Sequence, residues 1–438
     1  MKVYRGVVIM DLVDTYARWI KKNVDDPEMV RKLIILGLKA ERAYFSLFRD
    51  KQVPRSFNYL NKIGVEFILN PLIYRDQSAW VNLFAPTEIL HAMDIYPLCI
   101  EALSSFLVGF HCEDVYVDYA QRSGISDTLC SYHKGFIGAA LAGLLPKPKF
   151  IITSSMLCDA NISTFRYLSW YHHIPMYSID VPLEYSQQSI SYLEKQLREM
   201  VKMLEEATGK KMDEDKLKDI IKRENKIHAH MNRYIDALRY KCHPTTLTLE
   251  MYMLFINHTF MGTQPTLNFY EMLANELNSF PHSRAKRVFW VHIVPFYPYA
   301  LKQYFNYSHK YEILGLDLNF DYLEKMDYEN PYRALARKML LNNNNGPYQR
   351  KVDSIMSIVD RLQPDGIIHF CQWGCKQSAG GMMLLKKALD ERGIPFLALD
   401  GDGADRRNHQ RTEIITYPEI EFAFYFIWMD DDFFYIIF

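Results

Sequence analysis

The sequence predicts an α/β protein with two Rossmann-like parallel-sheet lobes, an N-terminal helical region and a long helical insertion. Three observations carry this expectation. A strand, helix, strand order occupies residues 147–182, the same order returns at 365–402, and a charged stretch rich in Leu and Met separates the two. Each unit is long enough for a βαβ crossover, roughly 30 residues. Parallel strands require such a crossover, so two of them argue for two sheets.

At 438 residues and 49% apolar content the chain exceeds one ordinary domain and can bury a sizeable core. In order, we expect a helical region over 1–85, a first α/β lobe over 86–260 with an insertion at 184–240, a second α/β lobe over 261–410, and an atypical tail at 411–438. PEMVRKLIILGLKAERAYFSLFR (27–49) repeats apolar residues at helical spacing behind a proline suited to a helix start. Residues 86–110 read as a helical pair. KPKFIITSS (147–155) is a β-branched apolar run, LCDANISTFRYLSWYHH (157–173) is helix-like, and IPMYSIDVP (174–182) is strand-like again. Residues 184–240 predict two long helices broken at Thr208–Gly209, packed on a sheet edge because no heptad persists to make a coiled coil. VFWVHIVP (288–295) and YEILGLDL (311–318) open the second lobe, and LNNNNGPYQR (341–350) is a polar loop. The unit DGIIHFCQ (365–372), KQSAGGMMLLKKALDERG (376–393) and IPFLALDGD (394–402) completes it.

With 51 basic against 52 acidic residues the chain carries no global footprint for nucleic acid or an anionic membrane. The apolar run before Asp11 is shorter than a secretory core, and no apolar stretch approaches the roughly 18 residues of a membrane span. A cytoplasmic protein that works on small molecules is the expectation, with cysteines serving as thiols or ligands instead of disulfides.

Of the seven cysteines, Cys130, Cys158 and Cys375 fall where strand-like segments hand over to helix-like ones, the place where open α/β sheets build sites. Backbone N–H groups at a helix start favour a thiolate there. Three thiolates suit a soft metal centre and leave one coordination position for chemistry. A single cysteine is more often a small buried hydrophobe, and on residues alone both readings stay open; the recurrence of the corner in both units is what favours the metal. No CxxC pair and no spaced histidine pair accompany the trio, which disfavours zinc. Cys371 is the reserve third ligand, while Cys99, Cys112 and Cys242 read as core or surface thiols. His133, Lys134, Lys376 and Gln377 flank the corners as candidate hydrogen-bond donors. GDGADRRN (401–408) lacks the GxGxxG pattern of a nucleotide loop, and Arg406 and Arg407 are expected to face solvent.

The segments APTEILHAMDIYP (85–97), TLCSYHKGFIG (128–138), SSMLCDANISTFRYL (154–168) and HFCQWGCKQSAGG followed by GIPFLALDGDGADRRN together resemble the 2-hydroxyacyl-CoA dehydratase D-component family, relatives of benzoyl-CoA reductase. The likeness spans roughly residues 40 to 410. It implies one 4Fe-4S cluster per subunit, here held by Cys130 in LCSYHK, Cys158 in MLCDAN and Cys375 in WGCKQ. It further implies radical elimination of water from an (R)-2-hydroxyacyl-CoA to a 2-enoyl-CoA, in which one electron on the thioester carbonyl makes a ketyl radical anion that expels hydroxide. A paired homologous subunit, an ATP-dependent iron-sulfur activator protein and an oxygen-sensitive, anaerobic setting come with that resemblance. Two other roles are compatible with it, a subunit of a benzoyl-CoA-type reductase and a non-catalytic electron-relay scaffold. After Asn408 the resemblance lapses: HQRTEIITYPEIEFAFYFIWMDDDFFYIIF is acidic and crowded with aromatics.

Overall fold

The protein is described by a computed structural model covering residues 13–411, 414–415, 425–429 and 433–437. Eight strands form two parallel sheets, as the fold-class expectation requires. The first contains β1 (Ser78–Val81), β2 (Tyr96–Cys99), β3 (Phe150–Ser154) and β4 (Met176–Ile179) in the order β2-β1-β3-β4. The second contains β5 (Lys286–Val291), β6 (Tyr311–Leu316), β7 (Gly366–Gln372) and β8 (Phe396–Gly401) in the order β6-β5-β7-β8, with Ile414–Ile415 added antiparallel beside β8.

The two sheets share a topological feature that decides where a site can form. From β1 the chain goes to β2 on one side and later to β3 on the other; from β5 it goes to β6 on one side and later to β7 on the other. The connections leaving β1 and β3, and those leaving β5 and β7, therefore diverge and open a crevice at the carboxyl ends of the strands.

Two strands depart from the sequence reading. β1 lies inside the stretch read as helical to residue 85, and β2 splits the segment 86–110 into helices Thr87–Ala92 and Ile100–Gly109 with a strand between them. All four residues of β1 and three of the four in β2 are buried, so neither displays the alternation that marks a half-exposed strand. The helix read across 376–393 breaks at Gly380–Gly381 into Lys376–Ala379 and Met382–Asp390. A side chain on Gly381 would lie 2.2 Å from the Tyr348 ring, so close packing dictates glycine there.

Helices surround both sheets. In Pro27–Leu47 the proline fills the first turn, the Asp26 side chain accepts from the Met29 N–H, and Val30, Ile34 and Leu38 form the buried stripe. The charged stretch forms Gln187–Thr208 and Glu214–Leu238, capped by the Ser186 and Asp213 side chains and separated at Gly209, whose φ of +70° closes the first helix. The second of these helices clasps more than a sheet edge. Asn225 bonds the Met326 backbone in both directions, at 2.7 and 2.8 Å, and Lys216 meets Asp94 at 2.6 Å, so the helix spans both lobes.

Near the C-terminus Tyr425–Met429 and Phe433–Ile437 pair as an antiparallel hairpin. The short apolar run before Asp11 lies outside the described residues. Among the described residues no helix is long and apolar enough to cross a membrane.

Candidate functional site

The two crevices converge. Leu83 and Phe84 after β1, Leu157 and Cys158 after β3, His292 and Ile293 after β5, and Gln372 and Cys375 at and after β7 line one recess of about 580 Å³ including its mouth. Cys130 enters the same recess, so the structure brings the three singled-out cysteines together. Each is the residue immediately before a helix: Ser131–Leu141, Asp159–His172 and Lys376–Ala379 respectively.

One expectation about these corners needs correction. Cys130 follows helix Glu113–Arg122 and a turn, with no strand before it. Cys99 does end a strand and start a helix, contrary to its sequence reading, and Cys112 also precedes a helix. Position at a helix start therefore does not separate the trio from the other cysteines; convergence across lobes does. Cys99 is buried and does not line the recess, its Sγ donating to the wall residue Glu101 at Oε2, 2.9 Å away. Cys371 also stands outside the recess, with Sγ 3.5 Å from Met382 Sδ.

The two lobes touch at the cysteines themselves. Gly374, at φ +73°, packs so tightly on the Cys130 corner that a Cβ would fall 2.6 Å from the Cys130 nitrogen and 2.9 Å from the Thr128 carbonyl oxygen. Beside this contact Asp402 is an inter-lobe knot. Its carboxylate accepts from the Ser131 hydroxyl at 2.5 Å, Gln372 Nε2 at 2.9 Å, Asn408 Nδ2 at 2.8 Å and the Ala404 N–H at 2.9 Å. The GDGADRRN loop is thus structural, and its arginines are paired, not simply solvated. Arg407 binds Asp405 and Asp118, and Arg406 approaches Glu113 and donates to the Val108 carbonyl.

A histidine faces each of two thiols. His133 Nε2 lies 3.9 Å from Cys158 Sγ, and His292 Nε2 lies 3.8 Å from Cys375 Sγ. His133 Nδ1 meets the Thr164 hydroxyl at 3.0 Å, whereas His292 Nδ1 has no protein partner. An orphaned N–H is rarer in protein interiors than an orphaned acceptor, so the His292 proton belongs on Nε2, aimed at sulfur. Burial lowers His133 to about 4, and burial together with the Lys351 charge takes His292 well below its usual range, so both rings are neutral near pH 7. His292 itself sits at φ +74°, its N–H held by Asp317 Oδ1 at 2.6 Å, while Lys351 pairs with the other Asp317 oxygen at 2.9 Å.

His133 was legible as a flanking donor; His292 was not, because 83 residues separate it from its thiol. The other flanking candidates lie elsewhere. Lys134 is buried on the Asp127 carbonyl at 2.8 Å, and Lys376 and Gln377 are exposed. Glu101, missed in the sequence, lines the recess with a carboxyl raised above its ordinary value by burial.

Without a cation the sulfurs oppose one another's ionisation. Burial raises the Cys130 thiol strongly, with Cys375, Asp402 and Cys158 adding to it, and burial followed by the Cys375 charge pushes Cys158 up to about 12. A bound cationic centre would invert that balance and hold the sulfurs as thiolates. Among the described residues, no three His, Cys, Asp or Glu side chains are grouped as a single metal ion requires.

Dehydratase and reductase chains resemble this sequence over about two thirds to three quarters of its length. The chain is 24% identical over 324 residues to the (R)-phenyllactyl-CoA dehydratase alpha subunit of Clostridium sporogenes, covering 68% of this chain and 77% of that one. It is 24% identical over 360 residues to the (R)-2-hydroxyisocaproyl-CoA dehydratase alpha subunit of Clostridioides difficile, 75% and 85% of the two chains. It is also 21% identical over 332 residues to a benzoyl-CoA reductase chain of Thauera aromatica, 66% and 74% of the two. Residues 82–418 match the 2-hydroxyglutaryl-CoA dehydratase, D-component, family, a span that includes every wall of the recess, and the chain belongs to that family of dehydratase subunits.

Proposed function

We propose that this chain is the iron-sulfur subunit of a 2-hydroxyacyl-CoA dehydratase, holding a 4Fe-4S cluster through Cys130, Cys158 and Cys375. The supporting observation is that these three cysteines, from both lobes, line one recess in a member of a dehydratase family. Three thiol groups on one recess suit a soft, thiolate-held iron centre. When bound, such a cluster would supply single-electron chemistry and one iron position without a protein ligand.

The chain's own groups then do the remaining work. His133 and His292 offer N–H groups to two of the sulfurs, favouring their charged form. Leu83, Phe84, Leu254 and Phe255 give the recess apolar walls that keep water from a reactive substrate radical. The Glu101 carboxyl, raised above its ordinary value by burial, stands in the recess wall, and Asn161 Oδ1, which has no protein partner, can accept from a substrate hydroxyl. The alpha-subunit names of the relatives support a paired subunit, and an ATP-dependent activator is the proposed electron source.

Anaerobic reconstitution with iron and sulfide counting tests the cluster. Near four irons per native chain are expected, with near zero after replacement of Cys130, Cys158 or Cys375 by serine and no change for Cys112→Ser or Cys242→Ser. The opposite pattern would sink the ligand assignment. The similarity to a benzoyl-CoA reductase chain raises a second reading, and stoichiometry separates the two. Dehydration needs only catalytic electrons, whereas consumption of reductant with every turnover would establish the reductase.

A further inference from the structure

A second cavity adjoins the cysteine recess. It encloses about 560 Å³ including its mouth and shares Leu83 and Phe84 with the recess as common wall. Its other walls come from helices Glu214–Leu238, Leu247–Thr259 and Pro331–Leu341 and from the segment 319–322. We propose that this cavity receives the acyl side chain of the substrate and selects uncharged branched or aromatic 2-hydroxyacyl groups over dicarboxylic ones. The inference rests on the dehydratase reading and narrows its substrate class.

The wall chemistry carries the selection. Leu83, Phe84, Met156, Met231, Met261 and Met339 supply an apolar surface, and the flexible thioethers among them adapt to a branched or flat group. The charges in the wall are already matched with one another. Lys338 Nζ lies 2.6 Å from both Glu88 Oε1 and Glu224 Oε1, and His258 Nε2 lies 3.0 Å from Asp321 Oδ2, which also accepts from Asn342 Nδ2 at 2.8 Å. Among the residues lining the cavity no cation is left over for a ligand carboxylate, because Lys338 is held by Glu88 in the wall and by Glu224 behind it. One polar group is unmatched: Asn319 is 1% exposed, its Oδ1 accepts from Asn257 Nδ2, and its own Nδ2 has no protein acceptor. That N–H suits a neutral acceptor on the acyl group. Leu83 and Phe84 border both spaces, so the acyl side chain of a thioester in the recess would lie beside this one.

The test is calorimetric binding of three CoA thioesters to the full-length reconstituted protein. The probes are (R)-lactoyl-CoA, (R)-2-hydroxy-4-methylpentanoyl-CoA and (R)-2-hydroxyglutaryl-CoA. The branched thioester should bind about tenfold or more tightly than either of the others, the discrimination that a few buried carbons give in a fitted pocket. Met339→Trp, which fills the cavity, should erase that preference while leaving lactoyl-CoA affinity unchanged, the latter showing that the variant is folded. Preference of the native protein for the glutaryl thioester would overturn the proposal, as would full binding of the branched thioester by the filled variant. Failure of all three thioesters to bind the native protein would instead remove the dehydratase reading and this proposal with it.

Discussion

Replacing Gly374 by alanine probes the junction on which the site depends. The glycine sits at φ +73°, and a Cβ there would meet only backbone: the Cys130 nitrogen at 2.6 Å, the Cys130 Cα at 2.8 Å and the Thr128 oxygen at 2.9 Å. The left-handed conformation costs an alanine about 1 kcal/mol. Driving a methyl group into backbone that cannot rotate away adds about 1 to 3 kcal/mol. The expected loss is therefore about 2 to 4 kcal/mol, a large share of the roughly 5 to 15 kcal/mol of a folded protein. Gly393 is the control, since it has φ +65° and nothing within 4 Å of its would-be Cβ. Gly393→Ala should lose only the conformational part, about 1 kcal/mol. Urea unfolding measures both losses, and iron retention after reconstitution reads whether the corners have been pushed apart. Equal destabilisation of the two variants, with full iron in Gly374→Ala, would refute the inter-lobe contact as the determinant of the site.

His292→Phe removes a donor from the Cys375 sulfur, which favours the more reduced cluster; a differential hydrogen-bond loss of about 1 kcal/mol corresponds to a midpoint about 40 mV more negative by anaerobic redox titration. An unchanged or more positive midpoint would show that the ring does not donate. Lys338→Met leaves Glu88 and Glu224 buried without their shared cation and should cost about 3 to 5 kcal/mol in denaturant unfolding, far more than Lys195→Met on the exposed pair with Glu199. Asp321→Asn has a pH signature. Burial acts to depress His258, but Asp321 carries it above 6.5, while burial acts to raise Asp321 and His258 holds it below 3.8. The raised histidine gives stability that is complete below about pH 6.5 and lost as pH climbs through its folded value; the lowered aspartate gives stability lost only on acidification below about 3.8. The variant's deficit should thus be largest between about pH 4 and 6.5 and shrink on the alkaline side, and a deficit flat to pH 9 would contradict the ion pair.

What the sequence disclosed depended on how local the signal was. β3, β4, β7 and β8 were legible because each is an apolar run bounded by Gly, Pro or polar residues and followed or preceded by a helix of recognisable period. β1 and β2 were hidden because SAWV and YPLC are short and almost wholly buried, so their apolar faces carry no alternation. Cys158 and Cys375 stood out because they occupy matching corners after β3 and β7. The corner criterion itself was too permissive, since Cys99 satisfies it and Cys130 does not. His292 and Glu101 belong to the recess through contacts that link distant positions, and no spacing rule in a single chain reports those.

The energetic meaning of the recess follows from the same geometry. Cys130 and Cys158 come from the first lobe and Cys375 from the second, so any centre that binds all three must bind the docked arrangement more tightly than the separated one. By mass action its binding energy then adds to the docking of the lobes. The reverse linkage would also hold: Gly374 against Cys130, the Asp402 knot and the helix Glu214–Leu238 clasping both lobes would all raise the affinity of the sulfurs for such a centre without touching it. The site and the lobe interface are thus one thermodynamic unit, and substitutions at Asp402 or Asn225 should weaken iron retention at high denaturant before they unfold either sheet.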